Sequence, residues 1–246
     1  MRGVYEPVAG AVAAPRGFRA AGVACGIKAN GNPDLAIIAS DVPAAAAAVF
    51  TTNLAQAAPI LVSREHMQRS GGRISAIVVN SGCANACTGP DGLAHARAMT
   101  EITAKALAIE PSAVLVASTG VIGVKLPMAH VERGIGEAVQ SLSPDGGSAT
   151  ARAIMTTDPF PKEGAFEIHS DAGIFRVGGI AKGSGMIEPL MATMLGFVTT
   201  DAKVEPALLQ RALKEACDDT FNAITVDGEC STNDCVFVLA SGASGL

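Results

Sequence analysis

Apolar residues recur at three- and four-residue steps in three stretches, and each predicts a helix. One spans 91–109, with Leu93, Ala96, Met99, Ile102, Ala106 and Ile109 on one face. A second spans 129–142 through Val131, Ile135, Val139 and Leu142. A third starts at Pro206, a favourable first-turn residue, and buries Leu209, Leu213, Ala216 and Cys217. Short apolar runs at 74–80, 113–118, 175–180, 194–200 and 236–240 predict strands. The run at 74–80, the first helix and the run at 113–118 form a crossover unit, hence a parallel pair. Runs at 166–169 and 175–180, around Asp171–Gly173, predict a hairpin. The mixture gives an α+β architecture of layers with mixed sheets.

Three apolar stretches end alike: Phe50-Thr51-Thr52-Asn53, Met155-Thr156-Thr157-Asp158 and Val198-Thr199-Thr200-Asp201. They read as strand ends passing into Asx turns. The stretch 42–63 carries no charge, but Pro43, Thr51, Thr52, Asn53, Gln56 and Pro59 argue against a lipid-facing helix. The N-terminal residues lack the basic-then-apolar signal pattern, so the expectation is a cytoplasmic protein without a membrane partner. An apolar strand only six residues before Leu246 implies further chain beyond it.

Composition narrows the function. Apolar residues make up 49% but aromatics 4%, with no Trp and a net charge of −5, which excludes a basic, stacking nucleic-acid surface. The cysteines Cys25, Cys83, Cys87, Cys217, Cys230 and Cys235 lack zinc-knuckle spacing, so they read as buried, reduced thiols and no metal or cofactor is expected.

Glycine-containing polar loops at 80–89 and 118–123 follow the two strands of the crossover unit, where open α/β sheets gather ligands. Glycine lets backbone N–H groups approach an anionic oxygen. The densest block, 178–195, lacks both the phosphate-loop and the dinucleotide spacings. It does contain Ala192-Thr193. A threonine hydroxyl needs a base, and an N-terminal threonine has one in its own α-amine, whose ordinary pKa is about 8. Thr193 attacking the Ala192 carbonyl would create that terminus by an N-to-O shift and hydrolysis.

Lys182-Gly183-Ser184-Gly185-Met186-Ile187, Met191-Ala192-Thr193-Met194-Leu195 and Thr199-Thr200-Asp201-Ala202 closely resemble the self-cleavage region of the ornithine acetyltransferase (glutamate N-acetyltransferase) family. Blocks at 17–27, 80–89, 118–123, 126–128, 156–158 and 221–234 resemble it in the same order. The resemblance implies a DmpA/ornithine-acetyltransferase-like α/β/β/α sandwich. It also implies a cut giving an α-chain of residues 1–192 and the start of a β-chain, 193–246. Thr193 is then the nucleophile and part of the substrate site, Thr119 and Gly120 the oxyanion-hole pair, and Thr157 and Lys182 substrate-binding residues. Asn222, Asp227, Asn233 and Asp234 are left as structural.

The implied chemistry is a cofactor-free ping-pong transfer of acetyl from N-acetylornithine to glutamate in arginine biosynthesis, by an α2β2 heterotetramer. Some members also accept acetyl-CoA. Pro159, Glu188 and Leu190 depart from common family residues or occupy variable positions. Family members also continue well past the length seen here, and that part supplies a Glu and two C-terminal residues to the substrate site. Alternatives are a related self-cleaving amidohydrolase or aminopeptidase, a secondary-metabolism paralogue, and a non-catalytic fragment.

Overall fold

The computed structural model describes residues 4–186 and 194–246. In chain order the elements are β1 (Val4–Pro7), β2 (Phe18–Val23), β3 (Leu35–Phe50), α1 (Ala58–Arg69), β4 (Arg73–Cys83), α2 (Gly89–Leu107) and β5 (Val114–Val121). There follow α3 (Met128–Gln140), α4 (Gly147–Ala153), β6 (Lys162–Ser170), β7 (Gly173–Lys182), β8 (Leu195–Thr200), α5 (Pro206–Asp219) and β9 (Cys235–Ala240). The described strands join in the order β1-β6-β7-β8-β9-β3-β4-β5, with β2 on β3.

Strand β3 turns this one sheet into two layers. Its first half pairs with β2 and β4, its second half pairs with β9, and the β4 register breaks between Ala39 and Ala44. Pro43 sits at that break, where a ladder can lose an N–H donor. The expected layers with mixed pairing are present, and they are halves of one continuous mixed sheet. Parallel β4–β5 and β8–β9 pairs lie within otherwise antiparallel pairing.

Three packed cores define an α/β/β/α sandwich. Between the sheet halves, Ile38, Ile77, Val79 and Leu115 meet Ile180, Phe197, Phe237 and Leu239. On one outer face, Ile37, Val78 and Val116 pack against Val62, Met99, Val131 and Ile135 of helices α1, α2 and α3. On the other, Leu209, Leu213 and Cys217 of α5 cover Ala45, Ala47, Val236 and Val238. Burial of the Val, Leu, Ile, Met and Phe side chains among these stabilises the fold by roughly 1.5–3 kcal/mol each. Alternate residues of β3 thus serve two cores, which the alanine run Ala44–Ala48 allows without overfilling either.

Helix α1 closes the free edge of β5. Ser63 Oγ donates to Val116 O at 2.7 Å and accepts from Val116 N at 2.8 Å, while His66 Nδ1 lies 2.7 Å from Val114 O. These bonds replace the missing neighbouring strand and leave no template for edge pairing there.

Three helices and five strands appear close to their predicted bounds, and the 166–180 hairpin forms as expected. Other expectations fail. Ala106 is exposed, whereas Thr100 and Thr103 turn inward by donating to Arg97 O and Met99 O. Residues 154–158 are not a strand end; they follow α4 as irregular backbone. The glycine segments 80–83 and 118–121 are the strand ends themselves rather than loops. Cys25, Cys83, Cys217 and Cys235 are buried thiols, but Cys87 and Cys230 are exposed. The uncharged stretch 42–63 divides between the end of β3, an irregular link and the start of α1. Among the described residues no helix is long and apolar enough to cross a membrane.

Candidate active site

The carboxyl ends of the parallel pair β4–β5 form one wall of a cavity of about 500 Å3. Ser81 and Gly82 lie in register with Thr119 and Gly120, and the ladder becomes irregular at Cys83. Gly120 has φ +130°, and a Cβ there would lie 2.3 Å from the Gly82 carbonyl carbon. Glycine is therefore required by both conformation and space. Asn80 Nδ2 donates to Cys83 O at 2.8 Å, fixing the bend.

Strand β7 supplies the opposite wall and ends at Lys182, which is 4% exposed. Lys182 Nζ donates to Thr119 Oγ1 at 3.1 Å, bringing together residues 63 positions apart in the chain. Burial lowers the Lys182 pKa; Asp158 and Asp234 pull it up, and Lys162 pushes it further down. Thr157 Oγ1 lies 2.7 Å from Ser184 Oγ at the rim. The four described site residues predicted from the sequence, Thr119, Gly120, Thr157 and Lys182, all line this cavity. Ala192 and Thr193 lie outside the described residues.

Several lining residues escaped the sequence reading: Lys28, Asn30, Ser231 and Asn233. Asn233, read as structural, donates through Nδ2 to Ala84 O at 2.6 Å and Ser118 O at 3.0 Å, pinning both glycine-containing strand ends. Asp234 accepts from Met194 N at 2.7 Å, at the second residue after the expected cut. Asp227 accepts from Met186 N at 2.5 Å on the other described flank.

Lys28 reaches the cavity from the loop after β2. Asp34 organises that loop by accepting the N–H groups of Cys25, Gly26, Ile27 and Lys28 at 2.6–3.2 Å. Burial pushes the Asp34 pKa upward, yet these donors together hold it below the ordinary value. Lys28 Nζ donates to Pro33 O and Met155 O, each at 2.7 Å, and so fixes the backbone leading to Thr156 and Thr157. Burial lowers the Lys28 pKa, opposed by Asp34 and reinforced by Lys182. Asp158 completes the frame by accepting from Thr156 N, Gly183 N and Lys162 Nζ. Its pKa lies below the ordinary value because those bonds, with Lys182 nearby, outweigh the large upward push of burial.

Chemically, the cavity offers a buried ammonium, a hydroxyl and glycine backbone at a strand end. Thr119 Oγ1 accepts from Lys182, so its own proton is directed elsewhere and can serve an oxygen in the cavity. That arrangement suits recognition of a carboxylate beside stabilisation of a developing oxyanion.

The ArgJ family profile matches residues 19–245. The arginine biosynthesis bifunctional protein ArgJ of Symbiobacterium thermophilum is 54% identical over 242 residues, covering 98% of this chain and 60% of that protein. The Thermosynechococcus vestitus protein of the same name is 51% identical over 240 residues, covering 98% and 57%. The chain thus spans 57–60% of the length of these two curated relatives. Among solved structures, the arginine biosynthesis bifunctional protein argJ of Bacillus halodurans superposes with TM-score 0.71 and 39% identity, covering 77% of this chain and 98% of that one. Ornithine acetyltransferase from Mycobacterium tuberculosis, solved with ornithine, gives TM-score 0.69 and 41% identity, with 76% and 98% covered. The L-aminopeptidase D-Ala-esterase/amidase of Ochrobactrum anthropi, a variant Ntn-hydrolase fold, gives TM-score 0.59 at 13% identity over 98% of this chain and 76% of that one, a likeness of fold alone.

Proposed function

The chain belongs to the ArgJ family, and from that premise we propose that it forms the nucleophile-bearing part of an acetyltransferase of arginine biosynthesis. The peptide bond between Ala192 and Thr193 is cut autocatalytically. The freed α-amine of Thr193 then takes the proton from its own hydroxyl. Thr193 Oγ attacks the acetyl carbonyl of N-acetylornithine, the tetrahedral oxyanion collapses, and ornithine leaves with the proton. Glutamate attacks the resulting ester and departs as N-acetylglutamate, regenerating the threonine. Thr119 and Gly120 stabilise the oxyanion in both half-reactions, each donor worth about 3 kcal/mol. Lys182 and Thr157 hold the amino-acid end of the substrate. Acetyl-CoA is a further donor in this reading, and the working assembly is an α2β2 heterotetramer in the cytoplasm, completed by the additional length that the relatives carry.

The observation that carries this reading is the convergence of Thr119, Gly120, Thr157 and Lys182 on one cavity from separated parts of the chain. The test is to incubate the complete gene product with N-acetylornithine and digest it. The reading requires one acetyl group on the peptide that begins with Thr193, removed by glutamate with formation of N-acetylglutamate. Acetyl transfer without acylation of that peptide would refute it.

A further inference from the structure

A second cavity, of about 350 Å3, adjoins the first and shares Lys28, Asn30 and Thr156 with it. Arg152 and Asp158 also line it, so with Lys28 its lining carries two cations and one carboxylate. Asp158 already accepts from Lys162 Nζ and two backbone N–H groups. Lys28 gives two of its three ammonium protons to backbone carbonyls, which leaves one. The Arg152 guanidinium, at the end of α4, is exposed and has neither an ion pair nor a hydrogen bond among the described residues. The annexe therefore presents a spare ammonium proton and a whole guanidinium fork, neither of them hydrogen-bonded to the Asp158 carboxylate, which is engaged elsewhere.

We propose that this annexe is the subsite for the distal carboxylate of an amino dicarboxylic acid whose reacting end lies beside Lys182, so that Lys28 and Arg152 select an acidic acceptor over its neutral isostere. The proposal rests on the reading above that the first cavity takes an amino acid. One free ammonium proton and one planar fork match the two oxygens of a single carboxylate. A polyphosphate tail would require more donors than the annexe supplies. The proposal adds a role to residues that the acyl-transfer chemistry leaves unused: specificity comes from leaving the two cations without their carboxylate partner when a neutral side chain binds.

The experiment is calorimetric binding of glutamate, glutamine and ornithine to the complete gene product, to Arg152→Ala and to Lys28→Met. In the unmodified protein, glutamate should bind about 10-fold or more tightly than glutamine. In Arg152→Ala that ratio should fall to within about 3-fold, with ornithine binding unchanged. Arg152 is exposed, so this variant keeps the test decisive even if Lys28→Met fails to fold. An unchanged ratio in Arg152→Ala, or equal binding of glutamate and glutamine by the unmodified protein, would overturn the subsite while ornithine binding still supported the main cavity. Failure to bind ornithine would instead overturn the function proposed above, and the subsite with it.

Discussion

Lys182, the last residue of β7, donates through Nζ to Thr119 Oγ1 of β5 at 3.1 Å. The bond joins the two sheet halves across the cavity. It also sets the polarity of the threonine hydroxyl, which accepts from the ammonium and so can donate only to something else.

Thr119→Ala should remove that donor. The expected result is a fall in acetyl transfer of about 10²–10³-fold with little change in KM, because the interaction strengthens as charge develops. Steady-state kinetics of the complete gene product checks this; a rise in KM at constant kcat would assign Thr119 to ground-state binding instead.

Lys182→Met should separate stability from binding. Burial disfavours the ammonium, and Asp158 keeps Lys162 and two backbone donors after the change. Unfolding free energy should therefore move by less than about 1.5 kcal/mol, while affinity for the substrate carboxylate falls at least ~10-fold. Chemical denaturation and calorimetry on the same variant report the two quantities.

Two glycines of the β5 end offer a controlled comparison. Gly120→Ala places a methyl 2.3 Å from the Gly82 carbonyl carbon at φ +130°, whereas Gly123→Ala meets nothing within 4 Å at φ +81°. The first should destabilise by more than about 3 kcal/mol and the second by about 1 kcal/mol, the strain of a left-handed residue. Similar midpoints in urea would show that the strand end is not packed as described.

Ser63→Ala tests the closure of the β5 edge. The change strands both Val116 backbone groups in a fully buried position and should cost about 1–3 kcal/mol. Hydrogen exchange at Val116 should accelerate in the variant. An unchanged rate would mean that the helix does not guard this edge.

The thiols give a pH signature. Burial pushes Cys25 up to about 12 and Cys217 up to about 11, while Cys87 and Cys230 are exposed. A thiol reagent at mildly alkaline pH should therefore label Cys87 and Cys230 rapidly and the buried four slowly. A raised folded value means that the unfolded chain loses the proton first. The contribution of Cys217 is thus complete below pH 9 and declines as pH rises towards about 11. Cys217→Ala should flatten the stability profile in that window; a profile of unchanged slope would contradict the burial.

The crossover unit β4–α2–β5 was legible because its periods are strong: continuous apolar strands on either side of a helix with one apolar stripe. Strand β3 was not legible. Its alanine run faces a core on both sides, so no alternation marks it as a strand, and only pairing with β9 reveals the bend. Residues 154–158 misled for the opposite reason, since an apolar pair before Thr156-Thr157 mimics a strand end although Asp158 and Lys28 hold the backbone otherwise. The roles of Thr119, Gly120, Thr157 and Lys182 entered through family resemblance, and the fold brings those four together. Lys28 and Asn233 carried no local signal. Lys28 bonds Met155 127 residues away, and Asn233 bonds Ala84 149 residues away, relationships that only tertiary structure creates.

The central claim is that Thr193 becomes reactive by acquiring a free α-amine. Intact mass spectrometry of the purified complete gene product, paired with an acetyl-transfer assay, tests it most directly. The account predicts two polypeptides, one ending at Ala192 and one beginning at Thr193, with both cleavage and transfer abolished in Thr193→Ala. A single uncut polypeptide that transfers acetyl at full rate would contradict it.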